Sequence, residues 1–109
     1  MVVWWGTPVE SRSAFARLVR EGALSDTERA KAVTLLNQLR RSWDEIQPSE
    51  HVRSVAEDLP DRYGIRAADA VQLAAALVWC HERPRKRAFI CFDDDLAKAA
   101  SAAGFAVRQ

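Results

Sequence analysis

The chain has little of the features that usually place a protein at once. It contains no run of about 18 apolar residues, the length that a bilayer-spanning helix needs, so no membrane partner is expected. Its first residues show no basic stretch followed by an apolar one, so no secretory signal is expected. Cysteine is scarce. Cys80 and Cys91 make no CxxC pair, and reduced, buried thiols in a cytoplasmic protein are the expected state. Neither charge sign dominates: 16 Lys and Arg face 15 Asp and Glu for a net charge of +1. That balance does not by itself argue for nucleic acid. Four glycines and four prolines lie scattered, with no linker, repeat or low-complexity tract.

What is present is apolar content of 49% in 109 residues. That excludes disorder and fits one domain with a modest core. The stretch from Ile65 to Leu77 reads as a helix that is almost wholly apolar. Ala70, Leu73, Ala74 and Leu77 fall at i, i+3, i+4 and i+7. Alanines at 67, 68, 75 and 76 leave the remaining sides apolar, the pattern of a central helix. Asp69 then brings a carboxylate to the edge of a core region. A buried charge costs several kcal/mol unless paired or metal-bound. The positive end of the helix offsets only about 0.3–1 kcal/mol of that. Two readings stand: a first-turn acid at the rim of the core, or a metal ligand that needs partner acids elsewhere.

Along the chain, residues 1–5 read as a buried strand. Thr7-Pro8-Val9-Glu10 has the form of a capping box with Thr7 at the N-cap, and its helix runs to about Arg20 before Gly22. Ser25-Asp26-Thr27-Glu28 opens a second helix to about Arg41, with Ala32, Val33, Leu36 and Leu39 on one face. Trp43 to Gln47 reads as a short edge strand. Ser49 caps a third helix, which Pro60 is expected to kink or end, and Gly64 turns into the central helix. Ala88 to Phe92 is the clearest strand. A small-residue helix from Leu96 to Ala103 and a last strand at Phe105-Ala106-Val107 follow. Alternating strands and helices predict an α/β fold, three layers around a mainly parallel sheet.

Ligands of parallel sheets sit beyond the carboxyl ends of the strands. Glu10 follows the first strand, Asp93 follows the clearest one, and Asp69 opens the central helix after a glycine turn. Each has a local explanation: a capping box for Glu10, an N-cap for Asp93, solvated first-turn acids for Asp94 and Asp95. Convergence would give them a joint one. Carboxylates packed together raise each other's pKa unless a cation neutralises them. Hard oxygen ligands without His or Cys suit Mg²⁺ or Mn²⁺, and such a site can activate water against a phosphodiester.

Three segments carry a family resemblance: Val9-Glu10, Ala-Ala-Asp69-Ala-Val-Gln-Leu-Ala-Ala-Ala after Tyr63-Gly64, and Phe89-Ile-Cys-Phe-Asp93-Asp-Asp-Leu-Ala-Lys-Ala-Ala with Gly104. Together they resemble the PIN domain, most closely VapC-like toxins of bacterial toxin–antitoxin pairs, over essentially the whole chain. The resemblance implies a three-layer α/β/α domain and a Mg²⁺- or Mn²⁺-dependent endoribonuclease. Its acidic site would hold Glu10, Asp69 and Asp93, with Asp95 as an accessory. It implies RNA as substrate, a cognate antitoxin as partner, frequent homodimers and a cytoplasmic location. The family opens with a strand ending in a fourth acid. Here Met1 opens on what resembles the family's second strand, so the central first strand is expected to be missing. Weak metal binding by this chain follows. A longer natural protein, or a short form completed by dimerisation, would account for the gap.

Other readings are weighed on the same residues. A non-catalytic interaction protein, dimerising or holding an antitoxin, is the main rival. A receiver-like phosphoacceptor would need a Lys at a later strand end, and none is found. Arg83-Pro84-Arg85-Lys86-Arg87 reads as a solvated basic loop, since no aromatic is interleaved with it. His51 and His81 read as surface residues. Adjacent Trp4 and Trp5 point to opposite faces of their strand, so one of them is a candidate sticky surface residue.

Overall fold

A sequence with strong helix signals and short β-branched runs folds accordingly. The computed structural model describes residues 1–108 and is an α/β protein dominated by five helices. It divides into two compact units, Met1–Glu45 and Ile46–Gln109.

The N-terminal unit holds β1 (Val2–Trp4), α1 (Thr7–Arg20) and α2 (Asp26–Arg40), and its last residues open β2 (Asp44–Ile46). β2 pairs with β1, and the Asp44 N–H donates to the Met1 carbonyl at 2.9 Å. The capping box expected at Thr7 does not form. The N-cap is Gly6, without a side-chain bond, so Thr7 and Pro8 both lie inside the first turn. Pro8 has no N–H to satisfy there, which is why the helix tolerates starting one residue early. The second box does form: Ser25 Oγ accepts from the Glu28 N–H at 3.0 Å, and Glu28 Oε1 accepts from the Ser25 N–H at 2.9 Å. Of the expected α2 face only Leu36 is buried, while Leu39 is half exposed. α1 buries no residue completely. Trp5 is the exposed member of the tryptophan pair.

The C-terminal unit holds α3 (Glu50–Tyr63), α4 (Ala67–Trp79), β3 (Ala88–Ile90), α5 (Asp94–Ala103) and β4 (Ala106–Arg108). Ser49 caps α3 as expected, its hydroxyl accepting from the Val52 N–H at 3.1 Å. Pro60 neither ends nor breaks α3, which continues to Tyr63. The missing N–H of Pro60 costs the helix the one bond it would have made to the Ala56 carbonyl. The helix closes at Gly64, whose φ of 66° is left-handed and whose N–H donates to the Pro60 carbonyl.

α4 is the central helix of this unit. It packs along α3 and against α5, and it buries Ala70, Leu73, Ala74 and Ala75. Val52, Ala56 and Leu59 from α3, Leu96, Ala99 and Ala100 from α5, and Ile65 and Phe105 complete the core. The alanines at 67 and 68 face solvent, so the first turn of α4 is covered only on the side of Asp69 and Ala70.

β3 and β4 run parallel, with Ala88 opposite Ala106, Phe89 opposite Val107 and Ile90 opposite Arg108. α5 connects them, making one βαβ unit. The clearest strand of the sequence is shorter than expected, ending at Ile90 rather than Phe92. Hydrogen bonds thus join the four strands into two separate two-stranded sheets, where one continuous sheet is expected from the alternation of elements. Each strand is three residues long and bonds a single neighbour, so period and propensity locate it without naming its partner. No helix among the described residues is long and apolar enough to cross a membrane.

Candidate functional site

Two helix starts in the C-terminal unit bring acids together. Asp69 lies in the first turn of α4, after an Arg66 N-cap that makes no side-chain bond, and it is partly buried. Asp93 is the N-cap of α5, and its Oδ1 accepts the Leu96 N–H at 2.8 Å. Asp94 and Asp95 occupy the first turn behind it. Anions are favoured at both places by the unpaired N–H groups and the positive helix end. Local preference therefore accounts for each acid singly.

Their electrostatics show that they are also neighbours. The Asp69 carboxyl is raised above the ordinary Asp value, first by burial, then by the negative charge of Asp93 and, more weakly, of Asp95. Arg66 works in the opposite direction. Cys91 belongs to the same group. Burial and the charges of Asp93, Asp69 and Asp94 push its thiol up, opposed by a backbone hydrogen bond at Asp93. The protonated thiol donates to the Asp93 backbone carbonyl, with Sγ to oxygen at 3.7 Å. Cys91 therefore stays a protonated thiol and offers neither a nucleophile nor a thiolate ligand. Both cysteines are free and buried, the state expected from the sequence.

The structure thus brings together Asp69, Asp93 and Asp95. Glu10, the fourth acid singled out in the sequence, belongs to the N-terminal unit, in the first turn of α1, where its N–H donates to the Gly6 carbonyl at 3.0 Å. Arg66 and Cys91 are the neighbours that periodicity did not single out. The signal for Arg66 was its place three residues before Asp69 at a helix start, where such side chains meet. Cys91 gave none beyond its nearness to Asp93.

Among the described residues, no three His, Cys, Asp or Glu side chains form a ready-made metal cage. The donor chemistry nonetheless suits one ion type. Mg²⁺ keeps several waters and is commonly anchored by only one or two carboxylates. Asp69 and Asp93 repel each other, and a hard cation between them would relieve that repulsion.

A separate cleft in the same unit is lined by His51, Asp58, Arg62, Tyr63, Leu77 and Glu82. It contains none of Asp69, Asp93, Asp94 and Asp95. His51 Nε2 lies 3.7 Å from Glu82 Oε2 on an exposed surface, as expected for a surface histidine.

Compared with models of known protein families and with curated proteins, the chain matches none.

Proposed function

We propose that the protein is a PIN-like, VapC-type endoribonuclease dependent on Mg²⁺ or Mn²⁺. The observation that carries this reading is that the charges of Asp93 and Asp95 act on Asp69 across two helix starts distant in sequence. The segments that bear the family resemblance are the ones that supply these acids. Asp69 and Asp93 would hold the ion and Asp95 would assist. Glu10, carried by the N-terminal unit, is the further ligand that the resemblance assigns. Bound there, a divalent ion would supply an activated water and charge neutralisation for hydrolysis of an RNA phosphodiester. The chain's own contribution is to hold paired carboxylates at positive helix ends, with Arg66 partly balancing their charge. A three-layer domain, a cognate antitoxin and a cytoplasmic location belong to the same reading.

The test is cleavage of a labelled RNA during Mn²⁺ titration. Cleavage should require the metal and fall about a hundred-fold in Asp69→Asn and Asp93→Asn, since losing even an outer partner of a metal ligand typically costs about 10–100-fold. Metal-independent cleavage, or full activity in Asp69→Asn, would end this reading.

A second reading is a non-catalytic interaction protein that forms homodimers or holds an antitoxin. It is favoured by Ile90 and Phe92, which flank the end of β3 and are 66% and 80% exposed. Large apolar side chains exposed next to a short strand are the form of a contact surface. Light scattering decides it: a monomer at all concentrations, with no partner retained, counts against it.

A further inference from the structure

We propose that the loop between α4 and β3, together with Trp79, is a binding surface for single-stranded nucleic acid, separate from the aspartates. The inference does not rest on the nuclease reading.

Four cationic side chains occur within five residues here: Arg83, Arg85, Lys86 and Arg87. All are exposed, and none makes an ion pair with a carboxylate of the described residues. A solvated loop could carry such charges on relaxed backbone. This one does not. His81, Glu82, Arg85 and Lys86 adopt φ of 55°, 60°, 47° and 64°, a left-handed conformation that non-glycine residues avoid. Such strain persists only where the surroundings over-determine it.

The surroundings do so here. The Arg83 N–H donates to the Cys80 carbonyl at 3.0 Å, that of Arg87 to Pro84 at 2.8 Å, and that of Lys86 to Gly104 at 2.9 Å. The loop's apolar residues, Cys80 and Pro84, are both buried. The loop is thus pinned to the end of α5 with its charges held outward.

The aromatic platform that the linear sequence lacks is supplied by the fold. The guanidinium of Arg87 lies 5.0 Å from the centroid of the Trp79 ring, and Trp79, at the end of α4, is 43% exposed. Cations that track phosphates beside a ring and a guanidinium plane on which bases stack are the chemistry of single-strand recognition. An anionic membrane surface would want a row of apolar side chains aimed outward with the charges, whereas Cys80 and Pro84 are buried and Trp79 alone is part exposed. The loop precedes β3, and Asp93, with Asp69 beside it, lies past the strand's other end, so a polyanion held here is at the opposite end of the strand from the carboxylates.

The experiment is fluorescence anisotropy of the full chain with labelled oligouridine and oligothymidine, each about 15 nucleotides long, across a salt series. Binding that weakens with salt is expected. Replacing Arg83, Arg85 and Lys86 together by Ala should weaken it at least about ten-fold and lower the salt slope by about two, at roughly 0.7 per phosphate contact. Trp79→Ala should weaken binding about ten-fold with little change in slope. Preference for one oligomer assigns RNA or DNA, and equal binding assigns the shared chemistry. Should the triple variant not fold, NMR of the unaltered chain decides: added oligouridine must move the amides of residues 81–87 and the Trp79 indole. Unchanged affinity in a folded triple variant overturns the proposal. So do shifts confined to other residues, or binding of anionic vesicles or polyglutamate but of neither oligonucleotide.

Discussion

The Asp93 side chain does two things at once: it accepts the Leu96 N–H at 2.8 Å as the N-cap of α5, and its negative charge raises the pKa of Asp69 on α4. The two roles separate by substitution. Asn caps as well as Asp but carries no charge. Asp93→Asn is therefore expected to keep the stability of the chain while lowering the pKa of Asp69. Asp93→Ala should lower that pKa too and cost about 1 kcal/mol through the lost cap. Carboxyl titration by NMR, with urea unfolding of both variants, checks the pair.

Asp69 gives the pH dependence. Its pKa is raised in the folded protein from an ordinary value of 3.8, so the native state holds that proton more tightly than the unfolded chain. Stability therefore falls as pH rises through the window just above the ordinary value, and the cost is fully present at neutral pH. Asp69→Asn removes the cost. The variant should melt higher than the parent at pH 7, and the gain should vanish as pH drops below the ordinary Asp range. The group is only partly buried, so the gain is small, roughly 1–3 °C. A thermal series between acid and neutral pH measures it.

Leu73 is 0% exposed at the centre of α4. Leu73→Ala should cost about 2–5 kcal/mol, the range for truncating a buried leucine to leave a cavity. Leu39→Ala, at a half-exposed position on α2, should cost less than about 1 kcal/mol. Urea midpoints of the two variants make the contrast.

Gly104 closes α5 at a φ of 112°, and a Cβ there would meet the Pro84 ring at 3.5 Å. The space is ordinary but the backbone is not, so Gly104→Ala is expected to cost about 1–2 kcal/mol through left-handed strain. The carbonyl of Gly104 also accepts the Lys86 N–H. Faster hydrogen exchange at Lys86 in the variant would report loosening of the basic loop.

Much of the local structure was legible in the residues themselves. Ser25 with Glu28, and Ser49, announce helix starts because a short hydroxyl side chain satisfies an amide that the helix leaves unpaired. The spacing of Ala70, Leu73 and Ala74 announces the buried face of α4 because burial repeats every 3.6 residues. The acids at 69, 93 and 95 could be singled out, but each had a sufficient local reason to be where it is. Likewise Thr7 with Glu10 matched a capping pattern that the backbone did not use, since Gly6 took the N-cap.

The caps at Ser25 and Ser49 and the buried face of α4 were determined by the sequence alone, because they depend on bonds and spacing within one or two turns. The tertiary structure alone decided which distant segments meet. It set Asp69 beside Asp93, placed the Trp79 ring under Arg87, and paired the strands as two short ladders. Through-space electrostatics, ring stacking and strand pairing join groups far apart along the chain, and no local periodicity encodes those partnerships.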